Sequence, residues 1–403
     1  MAAILALVAS SSAAEPAGTA ATAAEILPDA EWVVAGQLQS PTGPGAATAL
    51  SGSRALLTGS DGSDAAPVYL YEPGSGLVRV TDAPAPLTYH FAARLPDGRV
   101  LVGGGGTPSP RESRDNLTAR CFIYDPTANT WSETAPLPHP SFYLYGNTAA
   151  TLLDGRVLVT GGSTPADAYF DRGFGEVYLA SRNVFLFDPV SGSWSEGAPM
   201  PTTRVFATHA PAFSSPVGIK LGAEDTPPQG ATAGRVAHQM VVLADGRVLL
   251  VGGREYNPGW FYGVSPIDAY DPATNTWTRL ATLPGVPEDG DGGYGGRGFL
   301  GATVLASGKV LIFGGTASRF VERGNAAGRV TFTPEGADLL PRISALLFDP
   351  ATGRFQRVGD LNVRRTALLA TAWSEGGGAF AIGGRSTTQT QPVQEAEAFD
   401  HVS

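Results

Sequence analysis

Residues 152–162 read LLDGRVLVTGG, and the chain repeats almost the same words at 95–105 (LPDGRVLVGGG), 243–253 (LADGRVLLVGG) and 305–315 (LASGKVLIFGG). Each copy is a polar Asp-Gly or Ser-Gly turn, a run of β-branched and aliphatic residues, and a glycine pair. Asp-Gly between apolar runs is a hairpin signal, because glycine accepts the positive φ that the turn needs. A second word recurs at 122–131 (FIYDPTANTW), 185–194 (FLFDPVSGSW), 268–277 (DAYDPATNTW) and 346–355 (LLFDPATGRF). In each the bulky residue (Trp131, Trp194, Trp277, Phe355) stands six after the aspartate. Asp-Pro followed by small polar residues is a turn signal, so this word is a second hairpin. One unit thus reads strand, DGR turn, strand ending at Gly-Gly, loop, strand, DP turn, strand with Trp.

Four antiparallel strands per unit, with a recurring glycine pair and a spaced tryptophan, are the pattern of a β-propeller blade. The repeat resembles the kelch family on Gly104–Gly105, Gly161–Gly162, Gly252–Gly253, Gly314–Gly315 and Gly383–Gly384 with their DP hairpins, over about residues 31–403. Two weaker copies extend the count. SRALLTGS (53–60) with YLYEPGSGLV (69–78) is one, and AFAIGGRS (379–386) with EAFD (397–400) is the other. The last copy stops at Ser403, before its tryptophan, while AEWVVAGQL (30–38) reads as a fourth strand lacking the three before it. Trp32 lies 19 residues before Ser51, as Val78 lies 19 before Asp97. The expectation is an all-β, six-bladed kelch-type propeller over residues 30–403, its last blade closed by the N-terminal strand at about 30–38. Closure removes exposed sheet edges.

Composition agrees with many short strands: 52 glycines and 32 prolines stand beside 43 % hydrophobic residues in 403. A formal charge of −10 disfavours nucleic acid, which is itself polyanionic. The only lysines are Lys220 and Lys309, so positive charge is almost all arginine. A single cysteine, Cys121, excludes an intrachain disulfide and a multi-cysteine zinc site. The start, MAAILALVASSSAAEPA, has the apolar run and small residues of a secretory signal without its positive flank, so residues 1–29 read as a signal or disordered segment. Secretion or a periplasmic place is expected from it, while the cysteine count equally suits the cytosol. No later stretch is apolar and long enough to span a membrane.

Turns alternate between the two faces of an antiparallel blade, so the DGR and DP turns share one face. The connections after Gly-Gly and between blades share the other, and these are long and dissimilar: 106–120, 137–147, 163–182, 200–237, 254–266, 283–299 and 316–343. Long irregular loops on one face of a regular scaffold suggest a binding surface. They carry aromatic planes and arginines suited to a glycan, a peptide or other protein ligand, or a small anionic molecule. The candidate ligand-binding residues are Tyr89, Tyr169, Arg172, Arg204, Arg254, Tyr256, Trp260, Tyr294, Arg297, Arg364 and Arg365. The competing reading is an enzyme at the mouth of the channel on that face, with His90, His238, His209 and Glu255 as proton-transfer candidates. His90 and His238 both stand seven before their DG turn, as does Asn147, and repetition favours a histidine that bonds a neighbouring blade.

Two enzyme resemblances bear on that alternative. The segment YHFAARLPDGRVLVGGGG (89–106) is similar to the Tyr-His segment of galactose oxidase-like kelch propellers, which would make Tyr89 and His90 copper ligands. It opens the second blade rather than a late one, and no tyrosine partner for Cys121 is identifiable. Blade count and size also resemble kelch propellers that isomerise or epimerise sialic acid-type sugars, with arginines to hold a carboxylate. No phosphate loop, GxSxG elbow or HExxH is present, and no cofactor is expected.

Overall fold

The computed structural model describes residues 32–37, 46–51, 54–59, 66–72, 76–85, 90–106, 118–139, 142–163, 168–171, 175–178, 180–201, 204–205, 232–257, 260–286, 295–317, 320–324, 330–334, 340–341, 343–364, 369–372, 379–382 and 395–399. Its four-stranded sheets are antiparallel throughout. The first blade is Ala46–Ala49, Ala55–Thr58, Val68–Glu72 and Gly76–Arg79; the second is Phe91–Arg94, Val100–Gly103, Cys121–Asp125 and Thr130–Thr134. The third is Phe142–Thr151, Val157–Ser163, Val184–Asp188 and Ser193–Glu196. The fourth is Gln239–Val242, Val248–Val251, Pro266–Asp271 and Thr276–Thr282, and the fifth is Gly301–Val304, Val310–Phe313, Ala345–Asp349 and Arg354–Val358.

The blade count needs a correction. Five blades, not six, are each closed within one continuous stretch of chain. The remaining four-stranded sheet is shared: Leu369–Ala372, Ala379–Ile382 and Glu395–Phe399 are its inner strands, and Trp32–Gln37, some 360 residues away in sequence, is its outer one. Its outer pairing runs from Trp32↔Phe399 to Gln37↔Glu395 and shifts register between Val34 and Gly36. The expected count of six blades thus gives way to five continuous blades, and the N-terminal strand expected to close the last blade pairs within a further sheet assembled from two distant segments. The innermost strand of that sheet contacts those of the first and fifth blades, so the circuit of innermost strands closes.

Burial explains why the strands differ in composition. The second strand of a blade lies between strands and between neighbouring blades, so it is mostly apolar: Val100, Leu101 and Val102 are fully buried, as are Val248, Leu249, Leu250 and Val251. Its alternate residues serve alternate neighbours. Val100 and Val102 pack with Leu50, Leu56, Val68 and Leu70 of the first blade, whereas Leu101 packs with Val157, Val159, Phe185 and Phe187 of the third. The fourth strand is outermost and carries exposed and half-buried residues, as in Thr130–Thr134. The core is therefore a ring of inter-blade clusters. Each fully buried Val or Leu contributes about 1.5–3 kcal/mol.

The turns on the short-turn face are fixed locally. Asp97, Asp154 and Asp245 each accept the amide of the arginine two residues on, at 3.0 Å, and pair with its guanidinium. Glycine follows each aspartate at positive φ (Gly98 92°, Gly155 90°, Gly246 88°). In the DP turns Asp125, Asp188, Asp271 and Asp349 accept amides two residues on.

Candidate functional site

On the opposite face the connections after Gly-Gly fold back as additional hairpins: Ala168–Asp171 with Gly175–Tyr178 in the third blade, Arg254–Asn257 with Trp260–Gly263 in the fourth, and Phe320–Gly324 with Val330–Pro334 in the fifth. Among the candidates, Tyr169 lies on the first of these, and Glu255, Tyr256 and Trp260 on the second. Tyr256 is in register with Phe261, and Asn257 with Trp260. Arg204 lies on a short ladder opposite Ala233. Tyr89, Arg172, His209, Tyr294 and Arg365 lie outside the described residues. Arg364 is half-buried in the bend after the fifth blade.

Beneath these hairpins lies a layer of buried polar groups. His238 and Arg235, Arg254 and Arg297 are among the most buried side chains of the chain, the three arginines at 0 % exposure. Arg235 donates to Pro266 O (3.0 Å) and Gly252 O (3.3 Å) and pairs with Asp268, whose other oxygen accepts Nε of Arg279 at 2.9 Å. Burial depresses the pKa of Arg235, and the Asp268 carboxylate opposes that. Arg297 holds the same place in the fifth blade, donating to Gly314 O (3.4 Å) and Ser344 Oγ (3.2 Å). Arg254 bridges two blades. Its Nη2 donates to Thr316 Oγ1 at 2.7 Å, and its guanidinium lies 4.9 Å from the centre of the Phe299 ring. Arg254 and Arg297 are thus brought into one layer, where Gly298 leaves room for the Arg254 stem: a Cβ there would meet Cγ at 2.5 Å.

The two histidines repeat one geometry. His90 Nε2 is 2.6 Å from Thr58 Oγ1 of the first blade, and His238 Nε2 is 2.8 Å from Thr160 Oγ1 of the third. Each threonine lies on the second strand of the preceding blade, so each histidine couples adjacent blades. Burial, with the charge of Arg235 second, pushes the His238 pKa down to about 3. The ring is neutral at physiological pH and faces a hydroxyl rather than solvent. Gly161 must lie beside it, since its φ is +84° and a Cβ would come within 2.9 Å of His238 Cε1.

Of the two copper-ligand candidates, Tyr89 lies outside the described residues. His90 is engaged with Thr58, and Cys121 lies wholly buried on its strand, its thiol pushed up to about 12 by burial. Among the described residues no group of three His, Cys, Asp or Glu side chains could hold a metal ion.

The sequence reasoning missed Arg235, Asp268, Thr58 and Thr160. A signal existed in the repeat register. Arg235 and Arg297 both stand four residues before an innermost strand, and Thr-Gly at the end of one second strand is answered by histidine in the next blade. Where the second strand ends instead in Val251, the next blade offers Leu300.

No protein-family model matches the chain. Curated relatives include beta-scruin of Limulus polyphemus, 29 % identical over 130 residues (32 % of this chain, 13 % of that protein), and kelch-like protein 25 of Xenopus tropicalis, 23 % identical over 313 residues (78 % of this chain, 39 % of that protein). In both the match spans less than half of the relative. Among solved structures, the one titled "Structure of YjhT" superposes with a TM-score of 0.61 at 16 % identity, over 89 % of this chain and 95 % of that one. Its likeness is one of fold. No helix among the described residues is long and apolar enough to cross a membrane.

Proposed function

Taking as premise that the chain is a kelch-repeat β-propeller, we propose that it is a recognition module whose ligand, a peptide, a glycan or a small anionic molecule, docks on the face carrying the extra hairpins. The asymmetry of the two faces carries this reading. One face ends in short turns that satisfy themselves, while the other projects the three hairpins that follow Gly-Gly. The described side chains with catalytic potential favour recognition over turnover. His90 and His238 are bonded between blades, Arg235 is paired with Asp268, and Cys121 is buried.

The test is binding of the intact chain to peptide and glycan arrays, repeated after residues 172–174 and 258–259, which connect the paired strands in sequence, are replaced by Gly-Ser. Binding should weaken about tenfold or more, the scale of losing one or two aromatic or arginine anchors, with an unchanged unfolding midpoint. Full binding after both replacements would place the ligand elsewhere and overturn the reading.

A further inference from the structure

The opposite face holds a feature that this function does not use. A cleft of about 320 Å³ opens between the short turns of the first and second blades, walled by Ser51, Arg54, Arg94, Asp97, Arg99 and Asp125. Arg94 is out of keeping with its repeat. It is the last residue of an innermost strand, and the matching residue in the other innermost strands is Ala49, Thr151, Val242, Val304 or Ala372. The short-turn end of the inner ring is thus built from small or apolar residues except here. Arg94 Nε is buried and has no hydrogen-bond partner among the described residues.

The surroundings make the cleft cationic. Asp97 is engaged by Arg99, its amide at 3.0 Å and its Nε at 2.8 Å. Asp125 accepts the amides of Thr127 (2.8 Å) and Ala128 (3.0 Å) in its own turn. Arg54 occupies the turn position of Arg99, but the residue two before it is Gly52, where the siblings have Asp97, Asp154 and Asp245. Its Nε donates to Ser51 O at 3.1 Å. Three guanidiniums therefore share a cleft with two carboxylates, on a chain whose formal charge is −10. The backbone of Arg94 is held from the third blade, where Thr151 Oγ1 donates to its carbonyl at 2.5 Å. With its backbone fixed, Arg94 contributes a guanidinium to the cleft wall, a group suited to charge-assisted recognition of a planar or tetrahedral oxyanion. The size is at the small end of ligand pockets.

We propose that this cleft binds a small oxyanion, a carboxylate or phosphate, with Arg94 as the anchoring residue and Arg54 and Arg99 as flanking charges. The experiment titrates inorganic phosphate and, separately, succinate into the intact chain at low salt, by calorimetry and by thermal unfolding. Sodium chloride at matched ionic strength is the control. The expected result is saturable binding that Arg94→Ala weakens about tenfold or more, the scale of one charge-assisted pair. Arg94→Lys should retain part of it, and Arg247→Ala in the fourth-blade turn should retain all of it. Alanine already stands at this place in two sibling strands (Ala49, Ala372), so the ring tolerates it. Should Arg94→Ala nevertheless unfold, Arg54→Ser on the exposed turn gives the same readout through a smaller loss. The two titrants tell phosphate from carboxylate preference. Equal binding of both by wild type and Arg94→Ala, or no saturable binding of either, overturns the proposal.

Discussion

Replacing Asp268 by alanine probes the buried layer directly. Asp268 has 1 % of its side chain exposed and sits between Arg235, at 0 %, and Arg279, at 50 %. Removing it does different things to the two cations. Arg279 turns to solvent at little cost, because exposed pairs are worth about 0–1 kcal/mol. Arg235 has no such escape. It keeps only the carbonyls of Pro266 and Gly252 and becomes a buried charge without a counterion. Breaking a buried pair in this way costs about 3–5 kcal/mol. With a urea slope of about 3 kcal/mol/M the midpoint should fall by about 1–1.7 M. Tryptophan fluorescence and far-ultraviolet circular dichroism, required to coincide, measure it. The double replacement Arg235→Met with Asp268→Leu should recover most of the loss, since an apolar pair removes the orphaned charge as well. Leucine already fills the matching position in the fifth blade, as Leu346. A loss under about 1 kcal/mol for Asp268→Ala, or a double variant no better than the single, would refute the argument that an unpaired guanidinium dominates.

Two further expectations rest on the same inter-blade chemistry. The folded pKa of His238, about 3, lies below its ordinary value of 6.5, so the unfolded chain takes up a proton that the folded chain refuses. Stability from this residue is therefore full above about pH 6.5 and is lost as pH falls toward 3, by several kcal/mol at most. Unfolding midpoints across that range should decline less steeply in His238→Asn, asparagine being the residue at the matching Asn147; an unchanged slope would contradict the assignment. In the second and fourth blades Tyr124 and Tyr270 donate to Asn129 and Asn275 (2.9 and 2.8 Å), which stand at φ 53° and 55°, whereas the third and fifth blades carry Phe187 with Gly192 and Phe348 with Gly353. A double-mutant cycle of Tyr270→Phe and Asn275→Gly should show coupling of about 0.5–1.5 kcal/mol, and strict additivity would mean that the hydroxyl contributes nothing.

The sequence alone determined the hairpins, because their causes are local. An aspartate side chain that caps its own turn, a glycine at positive φ and an apolar run of strand length act within a few residues of one another. These words, written repeatedly, specify the blade and its neighbours before any tertiary contact is known. The alternation of Tyr-Asn and Phe-Gly is equally local, since both partners fall within one turn. The tertiary structure decided what joins residues far apart in sequence. Thr160 meets His238 across 78 positions, Asp268 meets Arg235 across 33, and Trp32 pairs with Phe399 from the other end of the chain. The same arginine chemistry had two possible destinies at Arg254, Arg297 and Arg94. Burial between blades gave the first two internal bonds, while the gap between two short turns left Arg94 at a cleft. Side-chain type is legible in a sequence. Whether a charged group is enclosed with a partner or faces an opening depends on how the blades close around it, and that is set by packing over the whole ring.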